Sequence, residues 1–257
     1  MKTEKTRIKT EAHFFDSEYS FFADSDLAIN DFMMRKYSSP RKTPIDWREW
    51  SAVRMGKLQG KVVLDYGCGS GEETMYFAKL GAEVHSIDIS PIGIETTKKR
   101  AKTHHVEDRV HAQVMDAMKT EFPSETFDVI HGIGILHHLD MDKAIEEVRR
   151  LLKKGGKALF LEPVNNSRLM AVLKRIIPVK KMEITEFERQ FTYADIERIG
   201  KRFEECRYWD FYFLARFRKL FRSQRIVDRL KRIDCFLFRN ISILRHFGSG
   251  VVIELIK

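Results

Sequence analysis

Three glycines alternate over five residues, Gly67-Cys68-Gly69-Ser70-Gly71, directly behind the apolar run Lys61–Tyr66. Glycine reaches backbone conformations closed to other residues and lets the chain pass close beneath a ligand. The run before the loop reads as a buried parallel strand. Glu72–Leu80 behind it reads as a helix, and Glu83–Asp88 as a second strand that ends on an acid, 21 residues after Gly67. A strand, a glycine turn, a helix and a second strand closing on a carboxylate belong to an open parallel sheet. Such sheets bind ligands outside the carboxyl ends of their strands.

The alternation continues along the chain. Ser90-Pro91 opens a helix with serine at the cap and proline in the first position. Arg109–Met115 and Phe127–Gly132 read as the third and fourth strands. Asp140 caps a helix with an apolar face of Ala144, Ile145, Val148, Leu151 and Leu152, which Gly155 stops after Lys153-Lys154. Lys157–Val164 is the fifth strand. Thr192 and Asp195 form a capping box for a helix ending near Arg202. Phe203–Phe213 and Gly250–Ile256 are the sixth and seventh strands. The expected fold is α/β: a doubly wound, Rossmann-like seven-stranded sheet with helices on both faces, an N-terminal helical lid and helical insertions. The expected divisions are a flexible tail over 1–12, a lid over 13–58, and the sheet domain over 59–257 with insertions near 165–190 and 216–247. Phe14, Phe15, Tyr19, Phe21 and Phe22 either pack on the core or form a lid that excludes water from the site.

Two cofactor classes compete for the glycine loop. A dinucleotide needs G-x-G-x-x-G, with its pyrophosphate on the helix N-terminus. Here the third glycine comes one residue early, and Glu72-Glu73 occupy the first helical turn. With Asp65 they make the region acidic, which suits a cationic ligand. S-adenosylmethionine, with its sulfonium and α-ammonium, is such a ligand. Asp88 can hold both ribose hydroxyls of either cofactor as a bidentate acceptor.

Residues 60–164 resemble the class I S-adenosylmethionine-dependent methyltransferases, closest to the small-molecule and quinone-biosynthesis type. The matching stretches are VLDYGCGSG (63–71), VHSIDIS (84–90), VMDA (114–117), FDVIHGIGILHHL (127–139) and LLKKGGKALFLEP (151–163). The resemblance implies that Asp65 and the backbone of Gly67, Cys68, Gly69 and Gly71 cradle the methionine part. It implies ribose binding by Asp88, adenine packing by Ile89, adenine amino recognition by Asp116 with Ala117, and a methionyl lining of Gly132 and Ile133. Asp65 could instead brace the loop, and Asp116 could be an ordinary helix cap. Cys68 reads as a small space-filling residue, not a nucleophile. Tyr66 stands where the family usually has an aliphatic residue.

Methyl transfer from a sulfonium needs positioning and desolvation above all. An acceptor that must lose a proton also needs a base. His137, His138 and Glu162 follow the fourth and fifth strands, and His137 and Glu162 are the catalytic candidates, His137 as base and Glu162 as an acceptor contact. The His pair could equally shape the pocket. No metal-ligand spacing occurs, so no metal is expected.

The formal charge is +9, from 46 Lys+Arg against 37 Asp+Glu. Between Arg216 and His246 ten basic residues face only Asp228 and Asp234, so this stretch carries +8 and the rest is nearly neutral. Arg218, Arg222, Arg225, Arg229 and Arg232 recur on one helical face, beside an apolar stripe of Ile226, Leu230, Ile233, Leu237, Ile241 and Leu244. That stripe either packs on the core or, flanked by arginines, suits an anionic membrane surface. Nucleic acid is the less favoured partner, because the fourth strand leads into His131-Gly132-Ile133-Gly134 and not the N/D-P-P-Y/F loop of base-amino methyltransferases. With three scattered cysteines, no apolar leader and no run approaching about 18 apolar residues, a cytoplasmic, possibly peripheral, location is expected. The expected activity is methyl transfer to a small-molecule, possibly lipid-like acceptor. The alternatives are an RNA methyltransferase and a non-catalytic binding protein that keeps the fold.

Overall fold

The computed structural model describes residues 4–20, 27–164, 188–221 and 223–257. Three helices come first: α1 (Glu4–Tyr19), α2 (Asp31–Ser38) and α3 (Trp47–Met55). The alternating body follows as β1 (Val62–Tyr66), α4 (Glu72–Lys79), β2 (Glu83–Asp88), α5 (Pro91–Thr103), β3 (Val110–Val114), β4 (Phe127–Ile133), α6 (Met141–Leu151) and β5 (Leu152–Pro163). It closes with α7 (Tyr193–Gly200), β6 (Glu205–Phe211), α8 (Gln224–Asn240) and β7 (Gly250–Ile256). The sheet has seven strands in the order β3-β2-β1-β4-β5-β7-β6, parallel except for β7, which runs antiparallel to both β5 and β6. The order reverses between β1 and β4, paired at Val63–Val129 and Leu64–Ile130. A crevice therefore forms outside their carboxyl ends.

Each sheet face buries its own core. Leu64, Tyr66, Ile130 and Phe160 pack against Ala144, Ile145, Val148 and Leu151 of α6. Val63, Val84, Val129 and Leu159 pack against Met75, Tyr76 and Phe77 of α4 and Ala52 and Met55 of α3. Each fully buried side chain of this size contributes about 1.5–3 kcal/mol. The expected caps are in place. Ser90 accepts from the Gly93 N–H, Asp140 from Asp142 and Lys143, and Thr192 and Asp195 cap α7 reciprocally.

Three expectations need correction. Residues 4–12, expected as a flexible tail, are the first half of α1, whose Arg7 and Glu11 are buried. α6 gives way to β5 at Leu152, ahead of Gly155. That glycine, in the left-handed conformation, donates its N–H to the Lys257 carbonyl at the sheet's end. β6 spans only Glu205–Phe211: the Phe203 N–H is spent on the Gly200 carbonyl, and Tyr212 turns to a φ of +65°. The basic segment, for which the sequence left open packing on the core or a membrane surface, is partly exposed. α8 buries Val227, Lys231, Asp234 and Phe238, one turn apart, in place of the apolar stripe. Lys231 pairs with the Asp46 carboxylate at 2.5 Å, and Asp234 accepts the N–H groups of Leu214 and Ala215. Ile226, Ile233, Phe236, Ile241 and Ile243 are exposed, and Leu230 and Leu237 are half-buried. Seven of the twelve exposed large apolar residues among those described lie between Leu220 and Ile243, beside exposed Arg225, Arg229 and Arg232. Most of the insertion near 165–190, Phe21, Phe22 and Arg222 lie outside the described residues.

Candidate active site

The glycine loop leaves β1 into the crevice. Gly71 adopts a left-handed conformation to start α4, and a Cβ there would lie 2.5 Å from the Thr97 hydroxyl. Gly69, at φ +55°, leaves room for the Tyr19 hydroxyl, which would lie 2.7 Å from an added Cβ. Cys68 is buried beneath the loop with Ile94 and Ala112, and burial pushes its thiol pKa well up. Its space-filling reading fits that placement. Asp65 is buried as well and accepts from the Thr74 hydroxyl at 2.6 Å. Burial, against the bond from Thr74, pushes its pKa to about 8. It is tied to the first turn of α4 and is a carboxylate that a nearby cation would ionise.

Asp88 ends β2 with both oxygens engaged: Oδ2 accepts from the Gly69 N–H and Oδ1 from the Ser90 N–H, each at 2.8 Å. A carboxylate has about four acceptor positions, so these bonds orient Asp88 and leave lone pairs toward the cavity it lines. Burial raises its pKa against the bonds from the Ser90 and Gly69 N–H groups. Asp116 accepts from the Met118 N–H at 3.0 Å, the capping role, and from the Arg7 guanidinium at 2.9 Å. Tyr66 donates its hydroxyl to the Ala117 carbonyl, which gives that unusual strand residue a purpose: it fixes the backbone beside Asp116.

These groups enclose a cavity of about 160 Å³ lined by Gly67, Asp88, Ile89, Met115, Asp116 and Ala117 on one side and Ile133, Gly134, His138 and Leu139 on the other. Gly132 lies just behind, packed on Ile135 and Phe160. The remaining wall is α1, which presents Arg7, Glu11, Phe15 and Tyr19, four residues apart. Asp16 anchors the helix on the Ser90 hydroxyl and the Ile92 N–H. Ligand pockets usually measure about 300–1,000 Å³, so α1 lies closed over the crevice. Sequence reasoning marked Phe15 and Tyr19 as an aromatic cluster but missed Arg7 and Glu11. Their four-residue spacing in phase with Phe15 and Tyr19 was the available signal.

His137 sits behind this wall. Its Nδ1 lies 2.7 Å from Glu162 Oε2, while Glu162 Oε1 accepts the N–H groups of Ile135 and Leu136 at 3.0 and 2.9 Å. Burial pulls the His137 pKa down, but the bond and charge of Glu162 more than offset it, and the net shift is upward. Glu162 is fully buried with both oxygens engaged. Its oxygens are turned to His137 and to the turn after β4, and it is not among the residues lining the cavity, where sequence placed it as an acceptor contact. Nε2 of His137 faces Glu188 at 3.9 Å. His137, His138 and Glu188 bring one ligand-type atom each within 4.8 Å of one another, a proximity that sequence spacing did not reveal. Glu73, expected among the loop acids, turns away to pair with Arg48 at 2.8 Å. The acids on the cavity are Asp88, Asp116 and Glu11.

Residues 64–160 match the family model described as a methyltransferase domain. The match spans the glycine loop and the sheet from β1 into β5, the part of the chain that is similar to class I methyltransferases. It is 31% identical over 126 residues to the methyltransferase GfsG of Streptomyces halstedii, covering 48% of this chain and 45% of that protein. It is 29% identical over 178 residues to demethylmenaquinone methyltransferase of Staphylococcus aureus strain JH9, covering 62% and 73%. The chain spans about half the length of the first curated relatives it matches. The geranyl diphosphate C-methyltransferase of Streptomyces coelicolor A3(2), solved with S-adenosyl-L-homocysteine, shares the fold with a TM-score of 0.60 at 13% identity over 97% of both chains. The cofactor of the class is S-adenosylmethionine, and the residues present fit it. The cavity is lined by the carboxylates of Asp88, Asp116 and Glu11 and by apolar Ile89, Met115 and Ile133.

Proposed function

We propose that this chain transfers a methyl group from S-adenosylmethionine to a small, lipid-like acceptor that it meets at an anionic membrane surface. The observation that carries the reading is the Asp88–Asp116 cavity at the carboxyl ends of the strands, backed by the His137–Glu162 pair. S-adenosylmethionine supplies a methyl group activated by its sulfonium. Asp88, oriented by Gly69 and Ser90, accepts from the ribose hydroxyls. Asp116, held beside Ala117, accepts from the adenine amino group with the acceptor positions that Arg7 and the Met118 N–H leave free. α1 keeps water from the crevice, which strengthens every charge interaction inside. Glu162 takes the Nδ1 proton of His137 as a hydrogen bond, so Nε2 keeps its lone pair for the acceptor's proton.

The lipid-like class draws on two observations. Relatives include enzymes named for demethylmenaquinone and geranyl diphosphate. In this chain Ile226, Ile233 and Ile241 of the apolar stripe, with Phe236 and Ile243, are exposed beside Arg225, Arg229 and Arg232. A membrane contact here would be peripheral, since no described helix is long and apolar enough to cross a bilayer.

Titration calorimetry with S-adenosylmethionine tests the cofactor reading. We expect micromolar binding to the wild type. Asp88→Ala removes a buried charged acceptor worth about 1.5–3 kcal/mol, a loss of roughly 10- to 100-fold in affinity. No binding to the folded wild type would end the enzyme reading.

A further inference from the structure

Among the acids of the cofactor cavity, Glu11 is the one left unanswered. It lies on α1, is 1% exposed, and lines the cavity. Neither of its oxygens has a hydrogen-bond partner among the described residues. The His138 Nδ1 is 3.3 Å away but out of alignment, and it too makes no hydrogen bond. The other two acids are engaged, Asp88 by two backbone N–H groups and Asp116 by Arg7 and the Met118 N–H. Taking a carboxylate out of water costs several kcal/mol unless a cation meets it. The cavity that Glu11 faces is the one assigned above to a cationic cofactor, so the missing charge is supplied by the ligand.

We propose that Glu11 recognises the positive sulfonium of S-adenosylmethionine, so that α1 closes more firmly over the methyl donor than over the uncharged thioether product. This rests on the cofactor reading given above. In the transfer, an electron pair of the acceptor forms the new bond to the methyl carbon, and the carbon–sulfur pair stays on sulfur. The sulfonium charge disappears in that step, and Glu11 loses its partner. The four-residue face of α1 is anchored at one end by Arg7 on Asp116 and at the other by Asp16 on Ser90. Glu11, between them, makes the grip of the lid sensitive to whether the reaction has occurred. The product is then released as a consequence of the charge change.

The test compares three probes on the full-length protein: S-adenosylmethionine, S-adenosylhomocysteine, and sinefungin, which carries an ammonium group in place of the methylsulfonium. By calorimetry, Glu11→Gln is expected to weaken S-adenosylmethionine and sinefungin about tenfold while S-adenosylhomocysteine changes less than about twofold, the size of a lost charge-assisted contact. Hydrogen exchange over residues 4–19 of the wild type should be slowest with the two cationic probes, and in Glu11→Gln the three should be alike. Glu11→Asp, which keeps the charge, should retain the preference and serves if the glutamine variant does not fold. Equal weakening of all three probes, or equal protection of α1 by all three in the wild type, overturns the proposal. So does a His138→Gln variant that abolishes the preference while Glu11→Gln leaves it intact, since His138 would then be the sensing group. A wild type that binds none of the three instead refutes the cofactor reading itself.

Discussion

Two peripheral helices, α1 and α8, invert the usual relation between pattern and packing. α1 reads EKTRIKTEAHFFDSEY, without an apolar repeat, yet it buries Arg7 and Glu11. α8 has apolar residues in helical register, yet it buries Lys231 and Asp234 and exposes Ile226 and Ile233. In each case the docking surface decides. α1 lies on a cavity edged by Asp116 and His138, so ionisable side chains face inward. α8 lies against Asp46 and the N–H groups of Leu214 and Ala215, so a lysine and an aspartate are satisfied there. Elements whose local pattern conflicts with their packing are where function is expected to override stability. α1 turns its inward face to the cavity, and α8 leaves Ile226, Ile233 and Phe236 exposed.

The comparison breaks most readily at α8. Phosphatidylglycerol vesicles at low salt should co-sediment the protein. Reversing Arg225, Arg229 and Arg232 to glutamate should abolish this, because each basic residue near an anionic surface contributes about 1 kcal/mol, so removal of three costs a hundredfold or more. Affinity for S-adenosylmethionine should not change. A wild type that ignores the vesicles, or a variant that still binds them, reduces the stripe to a solvated surface.

At α1 the expected effect is smaller and falls on the opposite property. Gly69→Ala places a methyl group 2.7 Å from the Tyr19 hydroxyl at a backbone φ of +55°. The backbone alone costs about 1–2 kcal/mol, and Tyr19 must also move off the loop. We expect roughly tenfold weaker S-adenosylmethionine binding and faster hydrogen exchange across α1, with vesicle binding unaltered. Unchanged exchange over α1 would show that the helix does not rest on the loop.

The strand-and-helix body was readable because parallel strands buried on both faces carry continuous apolar runs, as in Val62–Leu64, and because Ser90-Pro91, Asp140 and Thr192–Asp195 are local signals read within one turn. Asp88 was legible for the same reason, as the end of a strand, and Asp116 through the resemblance carried by VMDA (114–117). The partners of those acids were not. Arg7 meets Asp116 across 109 residues of sequence, and Lys231 meets Asp46 across 185. No local period encodes such pairings. Glu162 was visible by its position at the end of β5, whereas the two N–H groups and the imidazole that engage its oxygens belong to the turn after β4 and were not.

That turn supplies the smallest effect and the one that separates the two roles of the histidine pair. Burial draws the His137 pKa down, and the bond and charge of Glu162, helped by Glu188 and Glu11, lift it above the ordinary 6.5. A base acts in its neutral form, so turnover should fall as pH drops through a pKa above 6.5. Glu162→Gln keeps an acceptor oxygen but removes the charge, and should move that acid limb down by about one unit, equivalent to about 1.4 kcal/mol. Stability follows the same linkage. A group whose pKa is raised by folding contributes below its unfolded pKa, and that contribution is lost as pH rises through the folded value. The wild type's stability advantage over Glu162→Gln should accordingly be largest below pH 6.5 and shrink above it. A merely structural Glu162 would lower stability at every pH and leave the acid limb in place. A limb that ignores Glu162→Gln but shifts on substitution of His138 would transfer the proton to the other imidazole, the one on the cavity wall beneath α1.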